Sequence, residues 1–306
     1  MKILKKFSAL FIAVLLVVSV FSACSSKYEN YSGIAERKTV SAGYYHTVAL
    51  KEDGTVAAVG DNSFGQCEVG EWKDIIAIET GAYYTLGLKK DGTVVAAGDN
   101  DFGQCDVEAW QDIVAITSGG YHTVGLKSDG TLVACGYNMY GECDVGGAEN
   151  IEAISAHFGY TLAINKDGKV LSAGNNEKGR MDTASFTGVK YIDAGREYSV
   201  AIKKDGTVLF AGENEEMKNT LTSWKDVNKI ILSFDHVIGI KNDGTLLFAG
   251  NNNFGQCDVS GWNEIEDVTL GCYHTVGLNE DGTLVSVGQN KSGECEVQNI
   301  SGIKIK

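Results

Sequence analysis

The chain has 306 residues, 22% of them charged, and a formal net charge of −14. A surface this acidic excludes general nucleic-acid binding, which needs basic charge against phosphate; it is more compatible with a basic protein partner or a cation. With 43% apolar residues, 38 glycines and no proline, the chain can bury a large core, and its turns must be made by Gly, Asn and Asp.

Residues 1–23 read as a secretory signal. Lys2, Lys5 and Lys6 precede an apolar run from Phe7 to Phe21, which ends at Ser22-Ala23-Cys24. A cysteine after small residues resembles a bacterial lipobox, so Cys24 is the expected lipidation site and residues 24–36 a polar, flexible tether. The expected location is the outer side of the cytoplasmic membrane, held only by the lipid. No later apolar run reaches membrane-spanning length.

From residue 37 onward one unit repeats. Asp-Gly recurs at Asp53, Asp91, Asp129, Asp167, Asp205, Asp243 and Asp281, always 38 residues apart. Seven copies without an insertion mean seven copies of one structural unit. In the third copy, Ile113-Val114-Ala115-Ile116 is a short apolar strand. His122 to Leu126 alternates as a half-buried strand, Asp129-Gly130 makes a tight turn, and Thr131 to Cys135 is a third strand. After the turn at Asn138 to Gly141, Cys143-Asp144-Val145 reads as a fourth. No segment carries a helical apolar stripe. The expected fold is all-β: a seven-bladed β-propeller over residues 37–306, with four antiparallel strands per blade. Residues 37–40 and 303–306 occupy the same phase of the repeat. The two termini are therefore expected to share one blade and close the ring, which removes exposed sheet edges.

The segments Gly43 to Thr55 and Gly60 to Cys67 carry Gly-x-x-His-Thr-Val-Ala-Leu-Lys-x-Asp-Gly-Thr and Gly-x-Asn-x-Phe-Gly-Gln-Cys. With their in-phase copies they resemble the regulator of chromosome condensation family. The resemblance implies a seven-bladed propeller. Eukaryotic members of that family exchange guanine nucleotide on a small GTPase and bind chromatin, and a secreted bacterial relative inhibits β-lactamase. The export signal and the acidic charge put this chain nearer the secreted bacterial branch. Nucleotide exchange is a distant alternative, resting on the family name alone.

Most in-phase polar residues have structural explanations. His46, His122, His236 and His274 alternate with Tyr84, Tyr160 and Tyr198. Such a ring holds its members too far apart to share one metal ion, and tyrosine substitutes for histidine as a wedge with a polar tip. Cys67, Cys105, Cys143, Cys257 and Cys295 read as small buried fillers. One pair, Cys135 and Cys143, would sit side by side if strands three and four formed a hairpin about Met139, and is a candidate disulfide. The repeated asparagines, Asn62 to Asn290, read as loop scaffolding, and Trp72, Trp110, Trp224 and Trp262 as pins for the loops between blades. No catalytic pairing, cofactor motif or metal-spaced cluster stands out.

Function is expected on the face made by the strand 1–2 and strand 3–4 connections, where fixed frames carry variable tips. The tips between strands one and two supply Tyr44, Tyr45, Tyr83, Tyr121, Phe158, Arg196, Glu197, Phe234, Asp235 and Tyr273; those between strands three and four supply Phe64, Phe102, Tyr140, Glu215 and Phe254. Aromatic rings interleaved with acids are the chemistry of a protein-binding hot spot. The family resemblance adds that the β-lactamase inhibitor uses this face. The expected role is a monomeric, non-catalytic protein-binding module; a glycan of the cell envelope is the alternative ligand. A hydrolase would need paired carboxylates at the axial mouth.

Overall fold

The computed structural model describes residues 37–305. Lipidation at Cys24, the signal segment and the tether lie outside them. Twenty-one strands form seven antiparallel three-stranded sheets, each built from consecutive strands. Repeat 1, residues 37–74, contains β1 (Val40–Ala42), β2 (His46–Leu50) and β3 (Val56–Gly60). Repeat 3, residues 113–150, contains β7 (Ile113–Ser118), β8 (His122–Lys127) and β9 (Leu132–Gly136). The other repeats follow at the same interval, ending with β19 (Ile265–Leu270), β20 (His274–Asn279) and β21 (Leu284–Gly288).

The expected fourth strand is absent from these sheets. Residues 143–145 fold instead as consecutive tight turns, in which Gly141 O accepts from Asp144 N at 3.0 Å and Cys143 O from Val145 N at 2.8 Å. Asn138 holds this turn from the side: its Oδ1 accepts from Cys143 N at 2.8 Å and its Nδ2 donates to Asp144 Oδ1 at 3.0 Å. With backbone groups satisfied locally, the segment has no need of a sheet partner. The candidate disulfide fails for the same reason. Cys135 and Cys143 are free, and their Sγ atoms point to different carbonyls, Gln104 O and Tyr137 O.

Neighbouring sheets share small apolar clusters. Leu86, Leu88 and Val94 of repeat 2 pack with Ile113 and Ile116 of repeat 3, for example. A polar seam stitches the same junctions. Thr85, Thr123, Thr161 and Thr275 each donate to a carbonyl of the preceding repeat, at Gln66, Gln104, Glu142 and Gln256, over 2.7–2.8 Å. Each hydroxyl has one proton, so it must accept from the ring facing it: His46 Nε2 reaches Thr85 at 3.1 Å, and His122 Nε2 reaches Thr161 at 3.0 Å. His46 and His122 thus carry a proton on Nε2, and burial, which lowers both well below the ordinary value, keeps them neutral. In His46 and His274 the buried Nδ1 faces no donor, so protonation there would bury an unpaired N–H.

The first and last sheets obey the same rule: Thr47 Oγ1 donates to Glu294 O at 2.7 Å and meets His274 Nε2 at 3.0 Å. Gly43 O accepts from Cys272 N at 3.3 Å. The C-terminal segment joins repeat 1 where Lys51 bridges Ile303, flanked by Glu52 N to Gly302 O at 2.9 Å and Lys304 N to Leu50 O at 3.0 Å. Tryptophans pin the junctions from outside, each lying on a glycine of a second strand. A Cβ on Gly125 would come within 2.8 Å of Trp110, and one on Gly239 within 2.5 Å of Trp224.

Repeat 5 departs from the pattern. Residues Glu215–Ser223 form an α-helix, α1, where repeat 4 makes a single 3-10 turn at Glu177–Gly179 and repeats 1, 2, 3 and 6 make a turn. That turn needs a left-handed residue, supplied by Gly65 (φ 83°), Gly103 (φ 80°), Gly141 (φ 85°) and Gly255 (φ 77°). Repeat 5 has Met217 there, for which positive φ is costly. The in-phase Asn214 becomes the N-cap instead, accepting from Met217 N at 3.0 Å.

Candidate functional site

Aromatic tips from separate repeats converge on one face into an open bowl of about 1030 Å³. The strand 1–2 tips supply its floor. Tyr44, Phe158 and Phe234 meet in a triangle with ring centroids 5.9, 6.2 and 6.1 Å apart. The same three residues also line a narrower channel of about 150 Å³ among the first strands of the repeats. Around the floor stand Tyr45, Tyr83, Tyr121 and Tyr273, packed against one another or against the floor at 5.3–6.4 Å. Outermost come Phe64 on Tyr83 at 5.2 Å, Phe102 on Tyr121 at 5.5 Å and Phe254 on Tyr273 at 5.3 Å. Phe64, Phe102, Tyr140 and Phe254 are 43–53% exposed, so this outer tier presents ring faces to solvent. Burial pushes the Tyr44 hydroxyl far above its ordinary range, and the Tyr45, Tyr83 and Tyr121 hydroxyls also shift up. All four stay neutral.

The opposite wall is charged. Lys178 pairs with Glu197. Arg196 lays its guanidinium 4.0 Å above the Phe234 ring, a cation–π contact. Arg180 is buried and structural, donating to Asn175 O at 2.9 Å and Arg196 O at 2.6 Å. The bowl is therefore divided: most of its tyrosine and phenylalanine, with Asp99, Asp101 and Glu142, come from repeats 1 to 3, while Glu177, Lys178, Arg180, Arg196 and Glu197 come from repeats 4 and 5.

Twelve of the fifteen residues expected to bind a partner line this bowl: Tyr44, Tyr45, Phe64, Tyr83, Phe102, Tyr121, Tyr140, Phe158, Arg196, Glu197, Phe234 and Tyr273. Phe254 reaches it only through Tyr273. Asp235 is occupied locally, accepting from Asn251 Nδ2 at 2.9 Å and facing His236 Nδ1 at 3.3 Å. Glu215 is no loop tip. It sits in the first turn of α1, where it pairs with Lys218 at 2.9 Å. Tyr137, Glu142 and Arg180 line the bowl unforeseen. Their signal was a break in phase: Tyr137 replaces the aspartates of Asp61 and Asp99, while Glu142 and Arg180 replace the glutamines of Gln66 and Gln104.

The channel is polar. Ser155 Oγ donates to Asp193 Oδ1 at 2.9 Å and Leu232 N to Asp193 Oδ2 at 2.7 Å, yet burial still pushes that carboxyl up to about 6. Lys38–Glu79 at 2.8 Å and Lys229–Asp267 at 2.6 Å flank it. Among the described residues no group of three or more His, Cys, Asp and Glu is placed to hold a metal. Burial pushes the thiols up to about 11 at Cys67, Cys257 and Cys295, and to about 12 at Cys105, Cys135, Cys143 and Cys272. They are held as thiols, which are poor nucleophiles. Among the described residues no helix is long and apolar enough to cross a membrane.

Residues 38–66, 75–104 and 113–142 match the regulator of chromosome condensation (RCC1) repeat. No curated protein matches the chain by sequence. Among solved structures, the CRINKLY WD40 ectodomain of the Arabidopsis thaliana receptor kinase ACR4 is similar at TM-score 0.68 and 19% identity, over 86% of this chain and 99% of that one. Human WBSCR16 gives 0.66 and 18%, over 79% and 86%. Yeast RCC1 (Prp20), crystallised with Kap60 bound, gives 0.60 and 16%, over 76% and 75%. These likenesses carry the β-propeller fold.

Proposed function

We propose that this chain, which carries regulator of chromosome condensation repeats on a β-propeller, is a non-catalytic protein-binding module. Its seven sheets form a closed ring, and the aromatic bowl receives the partner. The bonds joining repeat 1 to repeat 7 and to Gly302–Lys304 support closure. One observation carries the binding reading: rings from separate repeats are brought to one concave, solvent-open surface, and the outermost of them are about half exposed. Large aromatic faces left in water at the rim of a rigid scaffold are what a protein hot spot fills. Yeast RCC1, a structural neighbour, was crystallised with a protein partner, Kap60. The signal and lipobox-like segment ending at Cys24 support display on the outer side of the cytoplasmic membrane, with lipid as the only membrane contact. The module acts as a monomer, without cofactor or nucleic acid.

Affinity capture from the native cell envelope tests this. The mature protein should retain a protein that the Tyr121→Ala/Tyr140→Ala variant, equally folded by thermal melting, does not. Equal retention by both forms, or a hit on a glycan array that the same variant loses, would replace the reading.

A further inference from the structure

Glu142 breaks a pattern set by repeats 1 and 2. In repeats 1 and 2 the in-phase side chain is a glutamine that bridges two groups. Gln66 Oε1 accepts from Phe64 N at 2.9 Å while its Nε2 donates to Asp61 Oδ2 at 2.9 Å. Gln104 does the same between Phe102 N, at 2.9 Å, and Asp99 Oδ2, at 3.0 Å. In repeat 3 both ends of the bridge are changed. Tyr137 stands where the aspartate was, and Glu142 where the glutamine was. Glu142 Oε2 still accepts from Tyr140 N at 2.9 Å. Its Oε1 has no hydrogen-bond partner, although the side chain is fully buried. A buried carboxylate oxygen without a donor is costly, and this one lies in the wall of the bowl.

Its surroundings suit one kind of group. Phe102 meets Tyr121 at 5.5 Å and Tyr137 at 5.1 Å, both edge to face, and Tyr140 stands 6.3 Å from Tyr137. Asp101 is exposed beside them, and among the described residues neither it nor Glu142 is in an ion pair. Aromatic rings lining one cavity with a buried carboxyl group favour a cation. An overall charge of −14 draws the same sign of ligand.

We infer that the Phe102–Tyr121–Tyr137–Tyr140 sector is a subsite for a basic side chain, an alkylammonium or guanidinium presented by the partner, with Glu142 as its counter-charge. This rests on the protein-binding reading of the bowl and names what the partner must offer there.

The site can be probed without the partner. n-Butylammonium chloride, a lysine side-chain analogue, is titrated into the mature protein while the ring resonances of these four residues are followed by NMR; 1-butanol is the neutral control. The expected result is saturable shifts with the ammonium, absent with the alcohol, and about tenfold weaker binding in Glu142→Gln. The double variant Tyr137→Asp/Glu142→Gln rebuilds the bridge of repeats 1 and 2, so it folds, and it should lose ammonium binding equally. No saturable shift, equal response to the alcohol, or unchanged binding in the double variant would overturn the subsite. These outcomes are separable from the capture experiment. Partner retention without ammonium binding sinks the subsite alone, and ammonium binding without partner retention sinks the protein-binding reading alone.

Discussion

Repeats 3 and 5 have the same length and the same Asp-Gly turn, yet one carries an aromatic tip and the other a helix. The difference traces to one position. Gly141 takes φ 85° and lets the chain after β9 fold into stacked turns that push Tyr140 into solvent. Met217 cannot do so cheaply, and Glu215 to Ser223 form a helix instead. The seam changes with it. Tyr160 OH reaches Gly195 O at 2.8 Å and Ser199 Oγ at 3.0 Å. At the junction of repeats 5 and 6, Val237 replaces the hydroxyl residue, and Tyr198 stacks on Phe210 of its own repeat at 5.0 Å. A repeat frame can thus keep its strands while exchanging both its surface chemistry and its junction chemistry. The exposed aromatic tips Phe64, Phe102, Tyr140 and Phe254 stand where the turn glycine is kept.

The largest effect that separates these junctions is with acid. Burial holds His46 and His122 at about 4, and His157 and His274 at about 3. The unfolded chain takes up protons near the ordinary histidine value while the native rings stay neutral. Stability is therefore fully present above about pH 6.5 and is lost as pH falls toward 4, by on the order of 3 kcal/mol per histidine. Asp193 works the other way: its raised folded value means stability falls as pH rises from about 4 to 6. One carboxyl does not offset four imidazoles, so the melting temperature should fall steeply between pH 6.5 and 4. His122→Tyr, which copies the residue of repeats 2 and 4, should flatten part of that slope. An unchanged slope would mean that the seam at His122 is not neutral.

Next in size is the aromatic sector against the ionic one. Truncating Tyr121 and Tyr140 together should weaken a captured partner by about 30-fold or more, the scale of a lost hot spot. Lys178→Ala, at an exposed ion pair, should change it by no more than about fivefold. Equal losses would abolish the division of the bowl. Gly125→Ala should then cost about 1–3 kcal/mol in denaturant unfolding, because the new methyl meets the Trp110 ring. Asn214→Ala, which removes the cap of α1, should cost about 1 kcal/mol. Loss of helical circular dichroism should accompany it.

Much of the fold was legible because the period is unbroken. The seven Asp-Gly turns mark the hairpins, and Asp53 Oδ1 accepts from Thr55 N at 2.9 Å as such a turn requires. What misled was Cys143-Asp144-Val145, whose apolar residues look like a strand but whose hydrogen bonds are claimed by Asn138. The helix was hidden because the in-phase Asn214 looks like the loop asparagines while serving as a cap. Most of the bowl followed from tip position. Glu142 and Tyr137 did not, since an orphaned carboxylate oxygen shows only when both ends of a bridge are seen in space.

The most direct test of the bowl is a hydroxyl-radical footprint of the mature protein, alone and with its captured partner. Protection should centre on Phe102, Tyr121 and Tyr140, leaving the turns at Asp53, Asp91 and Asp129 on the opposite face as reactive as before. Protection of that opposite face, with the three rings still open to oxidation, would contradict the account.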